Sequence, residues 1–322
     1  MTTLRVFGLG IVLTMAALSW AFTCSAHRYD RVIAGISPLD PRHFPRLTLI
    51  TVGTGGAFEN LDRRGPAMAV ALAGRIVLVD AGRGVSEALR ASGIPVSQPD
   101  TVFLTSLLPE NTVGLDDLLL SGWLDGRKQP LRLVGPPGTT ELARALTAGH
   151  QRGVAAAARA RDLPPAAARF HAIEVAGGWS ERLGELAVRA GEIPGGPLEA
   201  LAYRFEWRDR SAVVGSAGWG LGALEDFARG ANVLVHELVL VPTPELAAQS
   251  PLEIEPETAR REAALHTGID EVGALARGAG VETLVLVRLQ PPPVYDFQLT
   301  SQVDDYFDGR IVVATDGDEI RP

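Results

Sequence analysis

The chain has 322 residues, of which 46% are hydrophobic and 21% charged, and its formal net charge is −8. A length of this order gives one large domain or two small ones, and the apolar content excludes a disordered or fibrous chain. The single cysteine excludes a disulfide-stapled scaffold and a cysteine-rich zinc module. The excess of acidic residues disfavours nucleic-acid binding, because phosphate backbones would be repelled.

The N-terminus resembles an export segment. Arg5 precedes the apolar run Val6–Phe22, and small and polar residues follow it as far as Ala26. This order is typical of a secretory signal, although the run is also just long enough for a membrane anchor. We predict that residues 1–26 are a signal peptide or membrane anchor, with lipid attachment at Cys24 as a third alternative. The folded part is then expected outside the cytoplasm, in the periplasm or tethered to the membrane. The proline-punctuated residues 27–46 are predicted to form a linker or a strap over the surface.

From Leu47 onward, apolar segments with strand-like and helix-like spacing alternate. Because the two types are mixed throughout, we predict one α/β domain built of stacked layers, over residues 47–322. The predicted strands are Leu47–Val52, Ala67–Ala73, Arg75–Asp80, Thr101–Thr105, Leu131–Val134, Phe170–Val175, Leu186–Ala190, Leu201–Trp207, Ser211–Val214, Asn232–His236, Thr283–Val287 and Ile311–Ala314. The predicted helices are Val85–Ala91, Leu115–Trp123, Thr140–Thr147, Leu221–Ala228, Glu257–Leu265 and Asp270–Gly278. The Ala- and Arg-rich segment Gly153–Ala168 is helical at best.

Several motifs occur together in a fixed order along this domain. They are Gly53-Thr54-Gly55, Asp62-Arg63-Arg64-Gly65-Pro66, Val79-Asp80-Ala81-Gly82, Thr112-Val113-Gly114-Leu115, Gly135-Pro136-Pro137-Gly138-Thr139, Tyr203-Arg204-Phe205, Leu234-Val235-His236-Glu237, His266-Thr267, Leu284-Val285-Leu286 and Pro291-Pro292-Pro293. In this order they resemble the metallo-β-lactamase fold superfamily, in particular its ribonuclease Z and arylsulfatase-like branch. The resemblance implies an αββα sandwich with the functional site at the edge of the two sheets.

The resemblance also implies a hydrolase that uses two zinc or manganese ions, held by seven ligand positions. All seven are changed in this chain. Where the family carries H-x-H-x-D-H, this sequence has Ser106, Leu108, Glu110 and Asn111; the other three positions hold Gly195, Ser216 and Arg288. Zinc needs imidazole, thiolate or carboxylate ligands, so a set with one carboxylate and no imidazole does not form a zinc site. We therefore expect no metal cofactor, and we expect Arg288 to pair with Glu110 across the former site.

Three family-matched polar residues are kept: Asp80, His236 and His266. They are the candidate catalytic residues, because the family residue matching His266 assists the leaving group and the one matching Asp80 supports the metal shell. Each also has a purely structural interpretation: a strand-end carboxylate that accepts main-chain bonds, a core histidine and a loop contact. A serine nucleophile, Ser106 or Ser216 with His266 as base, is a further alternative.

These observations lead to the hypothesis of an exported pseudoenzyme that retains a binding role for an unknown small ligand or protein partner. One alternative is an atypical metallo-hydrolase of phosphodiester or ester substrates, and another is a structural module of the cell envelope. Because the resembled family often dimerises, a homodimer is also expected.

Overall fold

A computed structural model describes residues 14–16, 18–29, 37–57, 60–215, 218–239, 255, 257–258, 261, 264–290 and 296–322. The chain divides into two compact units, Met1–Leu39 and Asp40–Pro322. In the first unit, residues 14–16 and 18–29 are helical. Among the described residues, no helix combines the length and the apolar character that crossing a membrane requires. The second unit begins at Asp40, inside the segment predicted as a linker or strap, and Phe44 is buried there.

Fourteen strands of the second unit form two seven-stranded sheets. The first sheet has the strand order β14-β1-β2-β3-β4-β5-β6 and the second β13-β12-β11-β10-β9-β8-β7. The strands of the first sheet are β1 Thr48–Gly53, β2 Ala67–Leu72, β3 Arg75–Val79, β4 Thr101–Phe103, β5 Leu131–Gly135, β6 Phe170–Glu174 and β14 Glu319–Ile320. Those of the second are β7 Ser180–Leu183, β8 Leu186–Ile193, β9 Ala200–Trp207, β10 Arg210–Val214, β11 Val233–Val239, β12 Thr283–Gln290 and β13 Arg310–Val313.

The helices lie between these strands in the chain. They are α1 Val85–Ala91, α2 Pro109–Thr112, α3 Leu115–Leu124, α4 Thr139–Arg161, α5 Leu221–Ala228, α6 Ile269–Ala279 and α7 Asp296–Val303, with a 3₁₀ helix at Pro165–Ala168.

Three apolar clusters show how these elements are layered. One is shared by the two sheets, and in it Phe103 of β4 lies 5.0 Å, centroid to centroid, from the ring of Tyr203 of β9. The Tyr203 hydroxyl donates a hydrogen bond to the main-chain carbonyl of Leu104 at 2.9 Å, which ties the sheets together. The other two clusters lie on the outer faces: α1 and α3 pack on the first sheet, and α5 and α6 on the second. The predicted αββα sandwich is therefore confirmed.

The central strands are buried on both faces because a sheet covers one face and helices the other. All residues of β1, β2 and β11 are buried, in keeping with their mostly apolar sequences; β11 also carries His236 and Glu237. Neighbours β3 and β4 are parallel, and so are β11 and β12. The carboxyl ends of parallel strands lie at the same edge of a sheet, so the residues that follow these strands are brought together.

The structure differs from the predicted elements in several places. A single helix, α4, spans Thr139–Arg161, where the sequence predicted a helix only to Thr147 and an ambiguous Ala-rich segment beyond it. The strands β7 and β14 and the helices α2 and α7 were not predicted. Of the predicted helix Glu257–Leu265, residues 257, 258 and 261 are helical and 264–265 form a turn, and the other four lie outside the described residues.

Candidate functional site

Strand ends from both sheets meet at one place. Asp80 follows β3, Ser106 follows β4, and Arg288 lies near the end of β12. Asp80 and Arg288 both have a left-handed backbone, with φ of 61° and 54°, which is uncommon outside glycine. At Arg288 the pairing of β11 with β12 shifts register, since Glu237 pairs with Val287 and Val239 with Gln290. Such a bulge redirects a side chain, and here it accompanies the turn of Arg288 toward the first sheet.

A buried polar network lies where these strand ends meet, and it includes three of the predicted ligand positions: Ser106, Asn111 and Arg288. Arg288 Nη2 donates to Asp80 Oδ2 at 2.9 Å and to Asn111 Oδ1 at 2.7 Å. Asp80 Oδ1 also accepts the main-chain N–H of Thr105 at 2.8 Å, and the Thr105 hydroxyl lies 2.8 Å from Asp80 Oδ2. Asn111 Nδ2 donates to Ser106 Oγ at 2.8 Å. The five residues thus form a continuous network that links the two sheets.

Burial of this network controls its protonation. Asp80 is 2% exposed and Arg288 6%. Burial raises the pKa of Asp80 from 3.8 to about 6, while the positive charge of Arg288 and the bonds from Thr105 oppose the rise. The carboxyl of Asp80 is therefore ionised at neutral pH, so that Asp80 and Arg288 are both charged.

The predicted ligand positions do not all come together. Ser106, Asn111 and Arg288 share the network, whereas Leu108 packs against the apolar cluster of the second half of the domain. Glu110 is only partly buried and Gly195 lies in an exposed loop. Ser216 lies outside the described residues.

The predicted pairing of Arg288 with Glu110 is wrong, because the ion-pair partner of Arg288 is Asp80. Glu110 is in the first turn of the short helix α2 and lines a small surface pocket that also includes Arg83.

The donor set does not fit a pair of divalent cations. The network offers one carboxylate, two hydroxyls and an amide, and the carboxylate is already neutralised by a guanidinium. Arginine keeps its proton and cannot donate a lone pair to a metal. In the described part of the chain, no three His, Cys, Asp or Glu residues are grouped so that they could hold an ion.

A second polar cluster lies at the end of β11. His236 and Glu237 are buried in this strand, and the loop at His266 and Thr267 contacts both of them. The His236 Nε2 is 2.9 Å from Thr267 Oγ1, and Glu237 Oε1 accepts the main-chain N–H of Thr267 at 3.2 Å. His266 Nδ1 lies 3.1 Å from the same Glu237 oxygen.

The two histidines differ in their environment. His236 is fully buried, and burial lowers its pKa to about 4, so its ring is neutral at physiological pH. This fits the core-histidine interpretation. The side chain of His266 is 22% exposed and is oriented by a carboxylate that is almost completely buried. A histidine held in this way can exchange a proton with a bound molecule.

The sequence interpretation did not single out Glu237, Thr105 or the network role of Asn111. Glu237 carried a usable signal, since two titratable residues in succession at the end of an apolar strand are uncommon. The partnership of Asn111 had no comparable signal, because its contacts depend on the fold.

The comparisons with known proteins agree with the observed fold. No protein-family model matches the sequence. The chain is 30% identical over 246 residues to ribonuclease Z of Mycobacterium sp. (strain KMS), covering 75% of this chain and 83% of the relative. It is 28% identical over 278 residues to ribonuclease Z of Mycobacterium bovis (strain BCG / Pasteur 1173P2), covering 84% and 96%. Among solved structures, the metallo-β-lactamase fold protein YhfI from Bacillus subtilis superposes with a TM-score of 0.65 at 18% identity, covering 86% of this chain and 99% of YhfI. The chain belongs to the ribonuclease Z-like branch of the metallo-β-lactamase fold superfamily.

Proposed function

We propose that this chain is a pseudoenzyme. It belongs to a hydrolase family, but it binds no metal ions and does not hydrolyse phosphodiesters. The observation that carries the proposal is the buried ion pair between Arg288 and Asp80, 2.9 Å apart. A fixed guanidinium at this position would repel a divalent cation by several kcal/mol at about 4 Å, even with an effective dielectric constant near 20. Asp80, which could otherwise bind or support a cation, is already paired.

This network can hold the two sheet edges together in place of a metal centre. Metal ligands contributed by both sheets hold the sheet edges together, and the bonds from Arg288 to Asp80 and Asn111 make a connection of the same kind. The packing of Leu108 also supports the proposal. Its side chain packs against the apolar cluster of the second half of the domain, whereas a metal ligand at this position would have to face the ion. The remaining role is then binding of a partner or ligand.

The test is a hydrolysis screen of the purified full-length chain with phosphodiester, lactone and sulfate-ester reporter substrates. It is run with and without added Zn²⁺ or Mn²⁺. We expect rates at the level of the buffer control in every condition. Turnover that depends on the protein and rises with added metal would overturn the proposal.

The second candidate is a hydrolase with an atypical site, and the pairing of His266 with Glu237 favours it. The discriminating variant is His266→Ala, with His150→Ala as its matched control. His150 is also partly exposed and lies 3.2 Å from a carboxylate, that of Asp116, so the two substitutions remove similar pairs. Activity that disappears in the first variant and survives in the second would support this candidate. A structural envelope module is the third candidate, favoured by the packing of Leu108 against the apolar cluster of the second half of the domain.

We further propose that residues 1–26 direct the chain out of the cytoplasm and that the folded unit forms a homodimer. The support for export is the order of basic, apolar and small residues, which is typical of a secretory signal. Mass spectrometry of the chain from fractionated cells tests export: a mature form that starts near residue 27 in the periplasm is expected for a cleaved signal. Retention of the full chain in the cytoplasmic fraction would contradict it. Light scattering of the purified chain tests the dimer, and a monomer mass would contradict it.

A further inference from the structure

A long groove lies on the outer face of the first sheet, away from the residues of the site above. Helix α4 forms one wall, and the 3₁₀ helix and β6 form the other. Its volume is about 800 Å³. None of these elements contributes to the polar clusters described above, so an inference about the groove is independent of the proposed function.

The charged lining of this groove is entirely basic. Arg144 and Arg159 of α4 and Arg169 beside β6 line it, and none of the three has an ion-pair partner among the residues that the structure describes. Between residues 139 and 174 the sequence has five arginines and three carboxylates, in a chain whose net charge is −8. One of the carboxylates, Glu174, accepts the main-chain N–H of Thr140 at the start of α4. The surface at α4 is therefore locally positive on an acidic protein, which favours an anionic occupant.

The shape of the groove limits what that occupant can be. Its lining residues on α4 run from Thr140 to Arg159, which corresponds to about 28 Å at 1.5 Å per residue. By the same rise, Arg144 and Arg159 are separated by about 22 Å along the helix axis. A compact anion such as phosphate or a nucleotide cannot contact both ends. The occupant must be elongated and must carry negative charge near each end.

The side chains on the α4 wall add a second restriction. Several of them are alanines, among them Ala143 and Ala158, so that another main chain could approach this wall closely. Thr147 and Gln151 place hydrogen-bonding groups between the basic ends. A purely apolar chain would leave such groups without partners, whereas a peptide backbone satisfies them.

We propose that this groove binds an extended acidic peptide segment of a partner protein. An extended segment of about eight residues spans about 26 Å, which covers the roughly 22 Å between Arg144 and Arg159 and fits within the roughly 28 Å length of the groove. Single-stranded nucleic acid is the less favourable occupant, because it is held by several stacked aromatic side chains, and Phe170 is the only aromatic residue among the groove's described lining residues.

Fluorescence anisotropy tests the proposal with the full-length chain and a labelled peptide of about eight residues, with two glutamates at each end around alternating alanine and leucine. We expect saturable binding that weakens as salt is raised, because charge contacts at both ends are screened. The double variant Arg144→Glu/Arg159→Glu should weaken binding at least about tenfold.

The matched control is Arg152→Glu/Arg161→Glu, which makes the same charge change on exposed positions of α4 that do not line the groove. We expect its affinity to stay within about twofold of the parent, since exposed charges away from the contact are screened. Circular dichroism should show the helical signal of the parent in both variants. Absence of saturation, or equal weakening in the two double variants, would overturn the proposal. So would tighter binding of an oligothymidylate of equal length, or displacement of the peptide by dodecanoate at equal concentration.

Discussion

Substituting Arg288 by methionine should destabilise the domain strongly. Arg288→Met keeps much of the side-chain volume but leaves Asp80 ionised, 2% exposed and without its counter-charge. Breaking a buried ion pair on one side costs about 3–5 kcal/mol of unfolding free energy. Asn111 Oδ1 would also lose Arg288 as its hydrogen-bond donor, and the free energy of that loss is included in the range just given.

The exposed pair of Arg189 and Glu206 provides a matched control. Its N–O distance is also 2.9 Å, but the two side chains are 50% and 31% exposed. Arg189→Met should cost less than about 1 kcal/mol, because solvent screens exposed pairs. The assay is urea denaturation at pH 7, monitored by circular dichroism. The urea concentration at the midpoint and the dependence of the unfolding free energy on urea are compared between variants.

Two further measurements sharpen this prediction. The double variant Asp80→Asn/Arg288→Met removes both charges and should recover more than half of the lost stability, since no isolated charge stays buried. Because Arg288 holds the pKa of Asp80 down, the loss in Arg288→Met should be smaller at pH 5 than at pH 7.5. A loss in Arg288→Met no larger than that in Arg189→Met would refute the reasoning that the network holds the two sheets together.

Three other predictions concern buried groups. Protonation of Asp80, whose pKa is raised to about 6, stabilises the fold as pH falls from about 6 to 4, by about 3 kcal/mol. Protonation of the unfolded chain at His236, whose folded pKa is about 4, destabilises the fold by a similar amount as pH falls from about 6.5 to 4. Urea midpoints should therefore fall more steeply on acidification in Asp80→Asn than in the parent, and less steeply in His236→Gln; parallel profiles would contradict both shifts. Tyr203→Phe should lose about 1 kcal/mol through its missing inter-sheet bond, whereas Tyr306→Phe, 38% exposed, should change the thermal midpoint little. Leu108→Ala should lose about 1–3 kcal/mol in the same urea assay because it leaves a gap against the apolar cluster; a neutral result would mean that Leu108 does not pack tightly against that cluster.

The layered fold could be predicted because its strands are continuous apolar segments between turn residues. Helix α4 was only partly predicted, since Gly149 and Gly153 interrupt it and glycine costs about 1 kcal/mol in a helix. Both glycines have open space around them, and the alanines that follow favour the helix, so it continues to Arg161. Local propensity alone does not resolve such a balance.

The expected lack of a bound metal rests on residue identity at motif positions, and it stays a prediction. The ion-pair partner of Arg288 could not be predicted. Asp80 is 208 residues away in the sequence and lies in the other sheet. Glu110 was chosen because it is the one carboxylate among the ligand positions, whereas the contact depends on the bulge at Arg288 and on the left-handed backbone at Asp80. These are features of the folded chain that no pattern of residue types shows.

Metal content tests the central claim most directly. The full-length chain is expressed in medium supplemented with zinc and manganese, purified without chelators, and examined by inductively coupled plasma mass spectrometry. We predict less than about 0.2 metal ions per chain, because the donor set lacks the ligands that tight zinc sites use. A stoichiometric content of one or two ions per chain, retained after dialysis, would contradict the pseudoenzyme proposal.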